Sequence, residues 1–412
     1  MIKKEKAIKI CLLITDFLLM YVALYFALLL RSKSLDFRDS AYAFSILYVL
    51  WLPFIYASDF YDLHYFKNKS FLYNLIIFGF IALFLGLGYF YLRPQLLFTP
   101  KTILILNVFI FACLLYGFRK IFYKIFSKNK KEKVVILGNP KNIQKIKKQI
   151  EEKNFEILPH FTTETDFIVF TNDFYSNKTI TILPNIRYVN YNEFYEILSK
   201  KVCLDNFSEV LFLEKLSQNN NKIYFALKRI LDLCLGFLFF LVNIILFPFI
   251  ALAIKIDSKG SIFYKQKRVG IRGNVFTVYK FRTMKEIENQ NKVWRANQDN
   301  QITKVGKFLR RFHLDELPQS LSIIKGDISF VGPRPEWIEI DKIYKKEIPF
   351  YNYRYLEKPG FTGWAQINFK PSDSVDEAKE KFEYDLYYMK NKSIILDVEI
   401  VLKTLRLLIH KH

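Results

Sequence analysis

Four apolar runs, near residues 8–30, 41–61, 71–92 and 102–122, constrain this chain more than any other feature. Each is about 20 residues long, enough for a helix to cross the hydrocarbon core of a bilayer. A helix also satisfies its own backbone hydrogen bonds where no water can. The opening Met-Ile-Lys-Lys-Glu-Lys resembles the start of a signal peptide, but the run behind it is long and lacks a small-residue cleavage site. An uncleaved anchor is expected, and four crossings return the chain to the side it left. The N-terminal lysines and the cluster Arg119, Lys120, Lys124, Lys128, Lys130, Lys131 and Lys133 place both ends in the cytoplasm; Arg31, Lys33 and Arg38 in the first loop pull the other way. Asp16 lies inside the first run. It either has a function there, as intramembrane acids often do, or reaches the interface or a local partner.

The chain is 51% hydrophobic yet carries a formal net charge of +22. A soluble protein with so many lysines tolerates that apolar content only if the two are segregated. They are: apolar residues fill the first 120 positions and 230–254, and basic residues gather at the ends of these runs. The distribution suits anionic headgroups and phosphate-bearing substrates. No nucleic-acid-binding module accompanies the charge, so nucleic acid is not expected as a partner. Cys11, Cys113, Cys203 and Cys234 have neither zinc spacing nor the look of a disulfide framework.

After the four runs, Lys133–Leu137 reads as a buried strand turning at Gly138 into a helix over 141–152. Phe167–Phe170, Thr179–Ile182 and Val210–Leu213 read as further strands, giving a small parallel α/β domain. Only one glycine stands where the dinucleotide fingerprint needs three, so a regulatory or assembly role is expected over cofactor binding. The run 230–254 is again long enough to span, but Lys228 and Arg229 precede it and Lys255, Lys259, Lys265, Lys267 and Arg268 follow it. A simple fifth span would put one cluster outside. A re-entrant helix broken at Pro248 avoids this, with Asn243 at hand for a freed carbonyl.

Ser261–Lys267 and Asn274–Met284 read as two strands about a turn at Gly270–Asn274. A period of two puts Lys280 and Arg282 on one face, facing phosphates or simply solvent. The polar stretch 286–303 is expected to be a mobile loop near the site. In His313-Leu-Asp315-Glu316-Leu-Pro318-Gln319, Pro318 suits the first position of a helix. Asp315 and Glu316 would then lie just ahead of a helix start, where a phosphate is also favoured. Carboxylates there can cap the helix, bind a divalent cation or attack phosphorus. Arg310, Arg311 and Arg334 offer guanidinium forks that match phosphate oxygens; helix capping and surface charge are the plainer alternatives. The basic, aromatic stretch Tyr344–Tyr355 suits a headgroup interface. Residues 394–412 fit a helix lying on the membrane or one packed on the core.

Five segments, taken in order, resemble the bacterial sugar transferases: Lys228-Arg229-Ile-Leu-Asp232, Tyr279–Met284, Leu314–Gln319, Gly326–Pro335 and Pro359–Gln366. These are the monotopic phosphoglycosyl transferases that move a sugar phosphate from a nucleotide sugar onto a polyprenyl phosphate. The resemblance covers 222–412, and the membrane runs in front are similar to the family's long form. It implies an α/β protein with membrane helices: a four-helix transmembrane bundle over 1–127, a degenerate Rossmann-like domain over 131–218, and a monotopic α+β catalytic domain over 222–412. The re-entrant helix would occupy 228–256 and include Lys228, Arg229, Asp232 and Pro248, although the family's Ser-Pro break is Phe247-Pro248 here. The resemblance further implies Asp315 as nucleophile, Mg²⁺ held by Asp315 and Glu316, and Lys280, Arg282, Arg310, Arg334, Gln366 and Asp385 near the substrate phosphates. A UDP-sugar donor, an undecaprenyl phosphate acceptor and a homodimer are expected. So is a multi-pass location in the bacterial inner membrane, with the catalytic domain on its cytoplasmic face, at the start of lipid-linked glycan assembly. The rival readings are a membrane-anchored NAD-dependent nucleotide-sugar dehydratase or epimerase, whose Tyr-x-x-x-Lys spacing Tyr224 and Lys228 match, and a non-enzymatic assembly scaffold. The identity of the sugar is not legible.

Overall fold

The computed structural model describes residues 2–31, 37–57, 60–61, 70–91, 101–126, 132–137, 150, 155–158, 160, 162, 165–170, 186–218, 221–285 and 301–410. The chain divides into two units, Met1–Lys130 and Lys131–His412. In the first, helices α1 (Ile2–Arg31), α2 (Phe37–Ala57), α3 (Ser70–Tyr91) and α4 (Lys101–Phe126) form where the apolar runs lie. Their interior is aromatic, with Tyr48, Trp51, Phe78 and Phe111 buried together. Their outer faces are apolar as well: Leu30, Phe84 and Phe109 are largely exposed. Helices apolar on all sides suit lipid rather than water. With a later helix, five among the described residues are long and apolar enough to cross a membrane.

Inside this bundle Asp16 pairs with Arg119, whose Nη2 lies 2.9 and 2.7 Å from the two carboxylate oxygens. Arg119 also donates to Phe60 O. Arg119, a member of the basic cluster, is thus withdrawn from solvent and 3% exposed. A charge withdrawn this far needs a partner, and Asp16 is that partner.

In the second unit, β1 (Glu132–Leu137), β2 (Phe155–Leu158), β3 (Phe167–Phe170) and β4 (Arg187–Asn190) form one parallel sheet in the order β2-β1-β3-β4. β2 and β4 were not expected; each is only four residues long. The expected strand at 179–182, nearly all of the helix over 141–152 and most of the loop 286–303 lie outside the described residues. Helix α5 (Tyr191–Ser199) is capped by Asn190. The run Val210–Leu213, expected as a strand, is instead part of α6 (Glu209–Gln218). Four apolar residues have too little periodicity to separate the two, and Phe212 packs onto Phe207 and Tyr353.

Helix α7 (Lys222–Asp257) stays helical through Pro248, so the proline does not end the helix there, although a proline inside a helix can still bend it. One missing N–H costs a single intrahelical bond, which a long helix between two packed ends tolerates. Tyr224, Lys228, Asp232, Gly236, Asn243, Ile250 and Ile254 form a buried stripe along it. β5 (Phe263–Val269) and β6 (Val275–Phe281) make the expected hairpin. There follow α8 (Lys304–Arg311), a 3₁₀ helix (Leu314–Gln319), α9 (Ser320–Lys325), β7 (Ser329–Val331), α10 (Ile338–Glu347), a second 3₁₀ helix (Tyr351–Leu356) and β8 (Gly360–Thr362), parallel to β7. A Cβ on Gly360 would lie 2.0 Å from Gly332 N, so only glycine allows this approach. α11 (Trp364–Asn368), α12 (Val375–Asn391) and α13 (Ile394–His410) complete the unit.

One surface reading gives way to burial, and one of two open readings gains support. Tyr344 and Tyr351 belong to the core rather than to a headgroup interface. α13 packs on that core through Leu396, Ile400 and Val401, while Ile395 and Leu407 on it remain exposed. Residues 200–204 lie along α12: Val202 N donates to Glu383 O at 3.1 Å, Leu204 N to Glu383 Oε1 at 3.2 Å, and Lys201 pairs with Glu380 at 2.7 Å.

Candidate active site

The first half of α7 positions the elements that carry the site. Arg229 donates to Ile323 O at 2.9 Å and Ile324 O at 2.6 Å, capping the C-terminal end of α9, where a cation also meets the negative end of the helix dipole. Asp232 Oδ1 accepts from Ser329 Oγ at 2.9 Å and Phe330 N at 2.8 Å, fixing the start of β7. Lys228 Nζ donates to Val331 O, Tyr388 OH and Asp397 Oδ2. Tyr224 OH joins Asp397 at 3.1 Å. The Tyr224–Lys228 pair that matched dehydratase spacing is thus part of a buried network holding α7 to α13.

The other end of α7 meets the same unit. Asp257 Oδ2 accepts from Val305 N at 2.8 Å. Arg282 donates to Ser258 O at 2.7 Å and Lys259 O at 2.8 Å. Its guanidinium is thereby committed to the backbone at the helix exit, not aimed with Lys280 at the carboxylates. Pro248 lies between these two anchored ends, inside the helix.

His313, in the left-handed region at φ 53°, turns the chain out of α8. Helical structure then begins at Leu314, four residues earlier than Pro318 suggested. Asp315 and Glu316 therefore occupy the first turn of a 3₁₀ helix instead of preceding a helix. Pro318, which lacks an N–H, sits just before the chain relaxes into α9. Both carboxylates are buried. Lys280 from β6 bonds Glu316 Oε1, and Arg334 from the loop after β7 reaches the same oxygen at 2.7 Å. Arg334 remains 29% exposed, so its guanidinium also faces outward. Arg310 is close by and donates to Thr283 Oγ1 at 2.9 Å. Gln366 Nε2 donates to Phe361 O at 2.9 Å, the carbonyl that Arg334 Nη1 approaches at 3.4 Å.

The two carboxyls are electrostatically unlike. Burial raises Asp315 to about 6, and the neighbouring Glu316 adds to the rise, against the pull of Lys280 and Arg310. Burial would raise Glu316 too, but Arg334 and Lys280 outweigh it and hold Glu316 well below the usual carboxylate range. Two adjacent acids pushed apart in this way suit different tasks. The donor set also fits a hard cation. Both ion pairs use Glu316 Oε1, which leaves Oε2 and the Asp315 carboxyl as oxygen donors, and Mg²⁺ takes one or two carboxylates together with substrate phosphates.

Behind Arg334 stand residues that sequence reading did not single out as part of the site. Arg354 donates to Arg334 O and pairs with Asp385 at 3.1 Å. Arg268 donates to Pro335 O. Lys381 pairs with Glu336 at 2.5 Å, and with that cation nearby Glu336 falls to about 2 despite its burial. The structure thus gathers Lys280, Asp315, Glu316 and Arg334, keeps Arg310 and Gln366 at the margin, and places Asp385 behind Arg334. The only advance signal was charge in otherwise apolar runs, such as Arg354 among the tyrosines of 351–355.

Residues 223–411 match the family model described as bacterial sugar transferase. A UDP-N-acetylgalactosamine-undecaprenyl-phosphate N-acetylgalactosaminephosphotransferase of Aeromonas hydrophila is 37% identical over 229 residues, 54% of this chain and 52% of its own length. A UDP-glucose:undecaprenyl-phosphate glucose-1-phosphate transferase of Escherichia coli (strain K12) is 41% identical over 181 residues, 43% of this chain and 39% of its own. An uncharacterized sugar transferase of Bacillus subtilis, EpsL, is 37% identical over 180 residues, 44% of this chain and 86% of its own. The chain therefore spans about half, or less, of the first two relatives.

Proposed function

The chain belongs to the bacterial sugar transferase family, and from that premise we propose that it transfers a sugar 1-phosphate from a UDP-sugar to undecaprenyl phosphate. The observation that carries this reading is the buried pair in which Glu316 holds Lys280 and Arg334 while Asp315, raised to about 6, has no salt-bridge partner among the described residues. A carboxylate in that setting is ionised at neutral pH yet poorly solvated, which favours attack.

Asp315 attacks the β-phosphorus of the donor. A bond forms from its carboxylate oxygen to phosphorus, the bridging P–O bond breaks, and UMP leaves with the electron pair. An oxygen of undecaprenyl phosphate then attacks the same phosphorus, and the acyl phosphate bond breaks to restore Asp315. The product is the undecaprenyl diphosphate sugar. Lys280 and Arg334 neutralise charge as it develops on the phosphoryl oxygens, the main demand of phosphoryl transfer. Arg310 and Gln366 border the donor phosphates. Asp315 and Glu316 would hold Mg²⁺, which would supply further neutralisation of the diphosphate.

The acceptor is a lipid, which accords with helices of membrane-spanning length and with both ends of α7 anchored on one catalytic unit. We take α7 as re-entrant and the unit as lying on the cytoplasmic face of the bacterial inner membrane, where the product would start a lipid-linked glycan. The α/β sheet then serves regulation or assembly, and the protein works as a homodimer. The test uses full-length protein in nanodiscs with a panel of UDP-sugars, Mg²⁺ and undecaprenyl phosphate. UMP release with one or more sugars is expected, and intact-protein mass spectrometry without lipid should show one added sugar phosphate that the lipid removes. Absence of UMP with every sugar overturns the function; the same adduct on Asp315→Asn overturns the nucleophile.

A further inference from the structure

We propose that Arg354 and Arg268 are positioning residues that hold the backbone of Arg334, and that Asp385 acts by holding Arg354 rather than by touching substrate. This rests on the reading of Arg334 as a phosphate clamp given above.

Residues 333–336 lie in no helix or strand, and two of them are prolines that offer no N–H. Each of the four backbone carbonyls is nevertheless bonded. Pro333 O accepts from Gly360 N at 2.9 Å, and Glu336 O from Val269 N at 3.1 Å. Arg334 O accepts from Arg354 Nη2, and Pro335 O from Arg268 Nη1. Two of the four donors are therefore buried guanidiniums, 6% and 7% exposed. Burying a charge to serve a neutral carbonyl is costly compared with an apolar residue of similar volume. What the arrangement secures is geometry: with its own carbonyl and those of Pro333 and Pro335 all bonded, the backbone of Arg334 is held where Nη2 reaches Glu316 Oε1 at 2.7 Å. A clamp displaced by about 1 Å loses much of its effect on the reacting group.

Arg354 has little left to offer a substrate. Nε bonds Asp385, Nη1 bonds Tyr351 OH at 2.8 Å, and Nη2 bonds Arg334 O. Asp385 is 2% exposed and faces Arg354. Burial raises Asp385 above the usual carboxylate range against the pull of Arg354 and Lys381.

The experiment is a double-mutant cycle on the full-length protein in nanodiscs, reading kcat/KM for the UDP-sugar by UMP release. Arg354→Lys and Asp385→Asn should each lower it about tenfold or more. In an Arg334→Lys background the further loss should be under about twofold, because both act through Arg334. Full activity of Arg354→Lys, or losses that multiply in both backgrounds, overturns the proposal. A second arm is independent of turnover: hydrogen exchange in peptides containing Val269 and Gly360 should quicken in Arg268→Lys and Arg354→Lys, and unchanged exchange overturns it. Were the wild type to release no UMP at all, the function would fall while the exchange arm still decided this inference.

Discussion

Asp315 and Glu316 are neighbours in a single 3₁₀ turn, and both cations that close on the pair, Lys280 and Arg334, bond Glu316 Oε1. Under the proposed function that division separates tasks, with Glu316 organising the site and Asp315 left available.

The division has a pH signature. Asp315 titrates at about 6 in the folded protein against an ordinary 3.8. A raised carboxyl means that the folded state holds the proton more tightly, so this contribution to stability is complete below about pH 4 and is lost as pH rises through about 6. Asp315→Asn removes the penalty and should be more stable than wild type above about pH 7, by up to roughly 3 kcal/mol. The gap should vanish near about pH 4, as thermal unfolding at the two pH values will check. Turnover should fall about tenfold per unit below about pH 6, where the attacking carboxylate is protonated.

Glu316→Gln takes away the anion that Lys280 and Arg334 share. Removing one partner of a buried pair costs a few kcal/mol; roughly 2–3 is expected here, since Arg334 is partly exposed. UMP release should drop by about two orders of magnitude, while the sugar-phosphate adduct on Asp315 still forms slowly. Wild-type melting and kinetics in this variant would show that the two ion pairs do not organise the site.

A truncation should reveal where the catalytic unit begins. All five matched segments lie beyond residue 222, which suggests that a protein starting near Asn219 would suffice. The packing says otherwise: Phe207 and Phe212 stack on Phe350 and Tyr353, and residues 200–204 lie along α12. A protein starting at Lys200 should keep most UMP release, and one starting at Asn219 should lose most of it. Equal activity of the two would show that residues 200–218 are dispensable.

The course of α7 can be read by thiol labelling. Its ends are anchored on one unit by Arg229 and Asp232 and by Asp257. Single cysteines at Ala226 and Ser258, in a background without the four native ones, should both resist a membrane-impermeant reagent in intact cells. Reaction at either position from outside would make α7 an ordinary span.

Much of the site was legible because its residues are clustered in the chain. Asp315 and Glu316 are adjacent, and Arg334 lies between two prolines in a segment dense with glycine. Arg282 misled because a period of two sorts residues by strand face, yet β6 ends at Phe281, and past that end the side chain turned to the exit of α7. Val210–Leu213 misled because a short apolar run has too little period to choose between strand and helix. Arg354 and Asp385 could not be matched to each other: 31 positions apart, they meet only when α12 folds back on the core.

The sequence by itself determined the elements whose cause is local: apolar runs of spanning length, basic flanks, the hairpin about Gly270–Asn274 and the ordered motifs that mark the family. Which buried charge answers which was decided only by tertiary structure. Asp16 meets Arg119, Lys228 meets Asp397, and Arg354 meets Asp385 across long stretches of chain. The reason is physical: a lysine or arginine in a sequence has the same charge whether it ends in solvent or in a core. Burial is what makes a specific partner obligatory, and burial belongs to the packed chain.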